Sequence, residues 1–332
     1  MVNWTRDFFI CLSNSKFLNK SAQKWGFRFG AEKFVAGTDI GSVTRTIKEM
    51  NARGISCTVD NLGEFVSEKT EAESAKRQIL NMLDKIREEK LDCHVSVKLT
   101  QLGLDISREF CIQNMLEILA RAEHYGIFIN VDMEDYAHFQ ATIDVLKILL
   151  QNYGNVGTVI QAYLRCAEDV MDELKDIRLR IVKGAYKESE AVAFQTKAEI
   201  DRNYLKLAKK RLLGDAYTSI ATHDHNIIRA LEDFIRENNI SHEKFEFQML
   251  YGFRQEMQYE LAEKYHFTTY MPFGNDWFGY YMRRLAERPQ NINLIVKDVF
   301  YTKDHKLKKE PLLTGALAVS LLLLWRKSGK KK

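Results

Sequence analysis

Eight short runs rich in β-branched and other apolar residues alternate with amphipathic stretches along this chain, and that rhythm restricts the fold more than any other feature. The runs are residues 56–60, 94–99, 128–132, 158–163, 179–183, 217–222, 245–250 and 268–272. Helical spacing fills the gaps at 72–89, 111–124, 138–151, 198–213, 227–238 and 254–265. The clearest of these is 72–89, where Ile79, Met82, Leu83 and Ile86 share one face. An earlier helix over 39–50 repeats Ile40, Val43, Ile47 and Met50. Strands alternating with helices form parallel sheets. A doubly wound sheet usually opens on a Gly-rich G-x-G-x-x-G turn, and no such turn follows the first run. The span from Ile55 to Arg288 suits the ~250 residues of a (β/α)8 barrel. The expected architecture is therefore α/β, a (β/α)8 TIM-type barrel over 55–292. N-terminal helices over 1–54 would pack on it, and an extension over 293–332 would end in an apolar and basic tail helix.

Composition removes other classes. Of 332 residues 45% are hydrophobic, with only 3 prolines and 17 glycines, which excludes disordered and collagen-like chains. The net charge of +4 is unevenly placed: residues 326–332 carry five positive charges and no acid, so the rest of the chain sums to −1. A basic stripe for nucleic acid is therefore absent from the sequence of the body. The five cysteines are odd in number and lack C-x-x-C spacing, which argues against a disulfide framework or a structural zinc site, and no metal is expected. The N-terminus has an acid at Asp7 and no long apolar run, which argues against a secretory leader. A reduced, cytoplasmic protein is expected. The tail leaves two readings open. Residues 311–325 are apolar, but at about 1.5 Å per residue they reach about 22 Å, short of a bilayer core of about 30 Å. They would form a final helix packed on the barrel, or an interfacial anchor at the inner face of the membrane with Trp325 and the basic end at the headgroups.

In such barrels function gathers at the C-terminal ends of the strands, and inward positions along them are expected to be branched and apolar. The predicted ends deliver Asp60 to Glu64, Lys98, Asp132, Gln161, Arg180 with Lys183, Thr222-His223-Asp224, Gln248 and Tyr270. A purely structural barrel has little use for so many polar groups at one rim, because unpaired buried charge is costly. A last helix follows, in which Glu287 stands i+4 from Arg283 and i+3 from Arg284. Paired guanidiniums suit a carboxylate or phosphate, although the same spacing also fits an exposed salt-bridged helix.

Taken in order, these blocks resemble the monofunctional proline dehydrogenases. The resemblance runs from about Phe34 to Asn291. It includes Asp60-Asn61-Leu62-Gly63-Glu64, Val97-Lys98, Val131-Asp132, Gln161-Ala162-Tyr163 and Arg180-Ile181-Val182-Lys183-Gly184-Ala185-Tyr186. It continues through Ala221-Thr222-His223-Asp224, Phe247-Gln248-Met249-Leu250, Tyr270-Met271-Pro272-Phe273-Gly274 and Tyr281-Met282-Arg283-Arg284-Leu285-Ala286-Glu287-Arg288.

The resemblance implies non-covalently bound FAD, with Arg180 near the flavin N5 and Val159, Gln161 and Gln248 along the isoalloxazine. Lys183, Gly184, Ala185 and Tyr186 would line the cofactor's path. Thr196 and Lys197 would meet its phosphates or adenosine end, and Thr222, His223 and Asp224 would also touch it. Lys98, Arg283 and Arg284 would clamp the carboxylate of L-proline, with Asp132 and Glu287 offsetting their charge. Leu250, Tyr270 and Tyr280 would wall the pyrrolidine ring, and Glu64 would pair with Arg283 to gate the pocket. A quinone would accept the electrons, and a separate pyrroline-5-carboxylate dehydrogenase would consume the product. Two other readings of the same residues are a Schiff-base lyase or aldolase using Lys98 or Lys183, and a non-enzymatic, membrane-associated barrel that binds anions.

Overall fold

The computed structural model describes residues 33–287, with side chains through residue 282. Residues 34–275 form one compact unit, and residue 276 onward belongs to a second. In the first unit, helix α1 (Ile40–Asn51) precedes β1 (Ser56–Asn61), α2 (Lys69–Glu88), β2 (Cys93–Val97), α3 (Arg108–Tyr125), β3 (Ile129–Val131) and α4 (Tyr136–Leu149). There follow β4 (Val156–Gln161), α5 (Ala167–Glu173), β5 (Leu179–Val182), α6 (Lys197–Leu212), β6 (Thr218–Ala221), α7 (His225–Glu237), β7 (Phe245–Leu250), α8 (Gln255–Ala262) and β8 (Phe267–Phe273). All eight strands are parallel, each pairs with the next, and β8 closes on β1. The expected TIM-type barrel is the observed one.

Local chemistry explains where the helices start and stop. Asp39 caps α1 in a reciprocal pair with Ser42, and Ser107 caps α3. Thr196 and Glu199 make the same reciprocal pair at α6. Gly126 ends α3 at φ +69°, a left-handed conformation that costs glycine nothing. Sequence periodicity missed α5, whose 7 residues are too few to display a helical repeat.

The strands differ from expectation in one respect that matters for function. The strand register, with contacts that cross the barrel, puts Thr58, Asp60, Ser96, Arg180, Glu246, Gln248, Thr268 and Tyr270 on the inner face. These inner positions are largely polar, not branched and apolar. The alternating residues, among them Val59, Val95, Val131, Ile160, Ile181, Ile220, Phe247 and Met271, face outward into the hydrophobic core under the helices. Stability thus comes from the sheet–helix layer, at roughly 25 cal/mol per Å² of apolar surface buried. Much of the barrel's inside is left to hydrogen bonds and ion pairs.

Gly157 marks a point of close approach. A Cβ there would lie 2.2 Å from the Arg178 carbonyl oxygen and 2.8 Å from Phe128 Cζ. Gly157→Ala is expected to destabilise the protein by about 1–3 kcal/mol through overpacking. Gly154→Ala, with nothing within 4 Å of the new methyl, should stay within about 0.5 kcal/mol. Urea unfolding of both variants distinguishes them.

Candidate active site

Two carboxylates and two cations meet inside the barrel. Lys98, one residue beyond β2, donates to Asp60 Oδ2 at 2.6 Å and lies 3.7 Å from Asp132 Oδ2. Arg180, the second residue of β5, donates to Asp132 Oδ1 at 2.7 Å and to Ser96 Oγ at 3.0 Å. Asn130 donates to the same Asp132 oxygen at 3.0 Å. The Tyr270 phenol from β8 reaches Asp60 at 2.7 Å and Asp132 at 2.8 Å, and its ring lies 5.3 Å from the Arg180 guanidinium carbon. Buried ion pairs are tolerable only when the charges are matched and the remaining lone pairs filled, and here two acids face two bases.

The electrostatics follow from that packing. Burial raises the Asp60 carboxyl above the ordinary carboxylate range, with Asp132 adding to the effect and Lys98 opposing it. Burial disfavours the Lys98 ammonium, yet Asp60 and Asp132 outweigh it and raise its pKa. The Tyr270 hydroxyl is pushed well up by burial and by both aspartates.

The opposite side of the inner face is different. Val159, Gln161, Val182, Ala221, Gln248 and Leu250 occupy it, with Gln161 and Gln248 contributing the polar atoms. Gln161 donates its amide to the Met133 and Glu134 carbonyls at 3.2 and 3.0 Å, and Gln248 donates to Glu246 at 2.5 Å. Both amide oxygens, and Arg180 Nε, are buried without a hydrogen-bond partner among the described residues. The result is an apolar wall edged by two acceptors and one donor. That donor set fits a planar heteroaromatic ring with its own N–H and C=O groups.

Above this wall the loops are tied together. Gly184 holds φ +104°, and a Cβ on it would fall 2.2 Å from the Tyr163 ring. Lys183 and Lys197 each bridge Asp201 and Asp224. Burial raises the Asp224 carboxyl, but hydrogen bonds from the two lysines outweigh it and hold it well below the usual range. Asp224 also caps α7 through the Asn226 N–H, and its own N–H donates to Thr222 Oγ1 at 3.1 Å. His223 Nε2 accepts from the Leu250 N–H at 3.0 Å, so the ring proton sits on Nδ1 in the neutral form.

A family model described as proline dehydrogenase matches residues 43–295. The chain belongs to the proline dehydrogenase family. Proline dehydrogenase 2 of Bacillus subtilis (strain 168) is 46% identical over 296 residues, covering 88% of this chain and 98% of that protein. The proline dehydrogenase of Deinococcus radiodurans is 36% identical over 275 residues, 80% of this chain and 89% of that one. Proline utilization A from Bdellovibrio bacteriovorus, solved after inactivation by N-propargylglycine, superposes with a TM-score of 0.73 at 26% identity. That match covers 80% of this chain and 33% of the larger protein.

Among the residues expected of a proline dehydrogenase, Lys98, Asp132, Arg180 and Tyr270 come together in one hydrogen-bonded cluster. Leu250 stands beside Tyr270 in register. Val159, Gln161 and Gln248 share the opposite wall. Glu64 lies in the β1–α2 loop, where Lys98 feels its charge. Lys183, Gly184, Ala185, Tyr186, Thr222, His223 and Asp224 lie on loops at the C-terminal rim. Thr196 and Lys197 open α6, where Thr196 is spent on capping and Lys197 on ion pairs. Tyr280, Arg283, Arg284 and Glu287 lie on α9 (Trp277–Glu287) in the second unit, and the last three side chains fall outside the described residues, as does the 311–332 tail. No helix among the described residues is long and apolar enough to cross a membrane.

Sequence reasoning placed Asp60 at the rim without giving it a role, and it passed over Glu134. Asp60 ends the first predicted run, so its place at the rim was the available signal. Glu134 stands two residues beyond Asp132 and is 1% exposed. It accepts from the Thr100 N–H at 3.1 Å and the Thr100 hydroxyl at 2.5 Å. Thr100 in turn receives the Phe65 and Val66 N–H groups of the β1–α2 loop. Burial raises the Glu134 carboxyl from 4.5 to about 7 against the pull of Thr100 and Lys98, with Glu64 adding to the rise. A raised carboxyl favours the folded state while protonated. That contribution is fully present below about pH 4.5 and is lost as pH climbs through about 7. Between pH 5 and pH 8, Glu134→Gln should therefore gain about 2–3 kcal/mol of stability relative to wild type. Urea unfolding across that range checks it, and parallel pH profiles for the two proteins would contradict it.

Proposed function

We propose that this barrel oxidises L-proline to Δ1-pyrroline-5-carboxylate on a non-covalently bound FAD, with a membrane quinone taking the electrons. The observation that carries the reading is the division of the inner face, in a member of this family, into a neutral charged cluster and an apolar wall edged by amide acceptors. The first suits an amino-acid head group and the second a flavin ring.

When bound, the flavin supplies a two-electron acceptor for the hydride that leaves the proline ring carbon next to nitrogen. The chain's own groups hold and orient. Asp60 and Asp132 keep Lys98 protonated and fixed, so its remaining N–H donors are available to a carboxylate. The same protonation speaks against Lys98 as a Schiff-base nucleophile, which needs a free amine. Lys183 is likewise committed to two carboxylates. Tyr270, pinned through its hydroxyl, presents its ring beside Leu250 as an apolar wall for the pyrrolidine. Gln161, Gln248 and Arg180 would meet the flavin through the buried polar atoms they leave unpartnered. Val159 flanks them, and residues 183–186, 196–197 and 222–224 would follow the rest of the cofactor. The roles of Arg283 and Arg284 as the carboxylate clamp, of Tyr280 in the ring wall, and of Glu64 with Arg283 as a gate rest on the family resemblance alone. A separate pyrroline-5-carboxylate dehydrogenase would carry the product on to glutamate. Attachment of the 311–332 tail to the inner face of the membrane would place the protein beside its quinone.

An absorption spectrum tests the reading. The purified protein should show flavin bands near ~370 and ~450 nm that bleach with anaerobic L-proline and return with a short-chain quinone. A protein that neither carries nor takes up FAD would overturn it. Tyr270→Ser, which opens space beside the ring, should raise the ratio of kcat/KM for 4-hydroxyproline over proline by about tenfold. An unchanged ratio would remove Tyr270 from the wall.

A further inference from the structure

A second buried charge lies below the first. Glu246, two residues before Gln248 on the same inner face of β7, is 4% exposed and accepts four hydrogen bonds. Arg178, Ser219 and Gln248 donate to Oε1 at 2.6, 2.6 and 2.5 Å, and Thr268 donates to Oε2 at 2.6 Å. The Arg178 guanidinium is held in turn, 4.5 Å from the Phe128 ring centre and 4.6 Å from that of Tyr217. Burial opposes ionisation of Glu246, but Arg178 and the hydroxyl donors prevail and bring its carboxyl down to about 2. At neutral pH this group is acceptor-only.

That fixes something one pleat higher. A glutamine amide has two nearly isosteric settings, with NH2 and oxygen exchanged, and only its partners choose between them. Against an ionised carboxylate the choice is forced: the Gln248 NH2 must face Glu246, and its oxygen must face away. That oxygen is buried and has no partner among the described residues. We infer that Glu246 is a positioning residue, which through Gln248 commits this point of the site to being a hydrogen-bond acceptor. The group bound there must then present an N–H or O–H donor. The inference rests on the FAD reading, in which that donor belongs to the isoalloxazine or the ribityl chain.

The test is FAD binding by the apoprotein, followed by fluorescence titration, with the absorption bands of the bound flavin as a second readout. Glu246→Gln can turn its amide either way and releases the choice at Gln248. It should weaken FAD binding about tenfold and shift the flavin bands. In a Gln248→Leu background, where no acceptor remains to be oriented, the same change should alter the dissociation constant by less than about twofold. Glu246→Asp keeps a charge for Arg178 but draws it back from Gln248. It should act like Glu246→Gln, and it keeps the question decidable if the amide variant does not fold. Equal weakening in both backgrounds, or none in either, would overturn the inference while leaving the FAD reading intact. A wild-type apoprotein that fails to bind FAD would overturn the FAD reading, and the inference with it.

Discussion

The carboxylates of Asp60 and Asp132, shared among Lys98, Arg180 and Tyr270, form the contact on which the rest of this structure depends. No two of these five residues lie on neighbouring turns of chain. They come from β1, the ends of β2 and β3, β5 and β8, and the Tyr270 hydroxyl reaches Asp60 across 210 residues of sequence. Such a cluster exists only when β8 has closed on β1. A partly closed sheet would leave buried charges without partners, at a cost of several kcal/mol for each ion. Closure of the barrel and assembly of the site are thus the same event.

The alternation within each strand separates two tasks. Outward residues such as Val59, Val95, Val131, Ile181 and Met271 bury apolar surface against helices, which supplies stability without any demand on function. Inward residues are then free to be polar, provided each donor finds an acceptor. Thr58 and Ser96, 3.0 Å apart, show the requirement met with small groups, and both lie within reach of Arg180. Among the described residues the requirement is left unmet at Asp60 Oδ1, His94 Nε2 and Arg180 Nε, and at the amide oxygens of Gln161 and Gln248, which share one wall, as expected if a ligand completes them.

Much of this was legible in the sequence, and the rest was hidden for identifiable reasons. The β/α rhythm revealed the barrel because each outward face is apolar enough to mark a strand. Lys98, Asp132 and Gln161 stood out because ionisable or amide groups near the ends of apolar runs have no reason to be there otherwise, and Arg180 because it is a charge inside one. Thr58, Ser96, Ser219 and Thr268 did not, since small hydroxyl residues are ordinary strand formers and do not announce which face they occupy. Glu246 was concealed in the same way. It sits early in its strand, far from the rim, and although alternation puts it on one face with Gln248, only the closed barrel shows what that face packs against. Asp201 could not have been found at all. It lies within α6, and its pairing with Lys183 depends on how that helix docks on the β5 loop.

Charge balance suggests what such an interior is selected for. The upper layer sets Asp60 and Asp132 against Lys98 and Arg180, and the lower sets Glu246 against Arg178. Each layer is neutral, so the barrel carries little net field with which to attract an ion from a distance. What it offers instead is fixed, oriented groups in a place of low dielectric, where an aligned hydrogen bond counts for more than it does in water and a misaligned one costs more. A site of that kind gains little from binding its ligand tightly in any pose. It gains from admitting a single pose, and the rigid partners that Asp60, Asp132 and Glu246 supply to the groups above them are the means by which this chain imposes one.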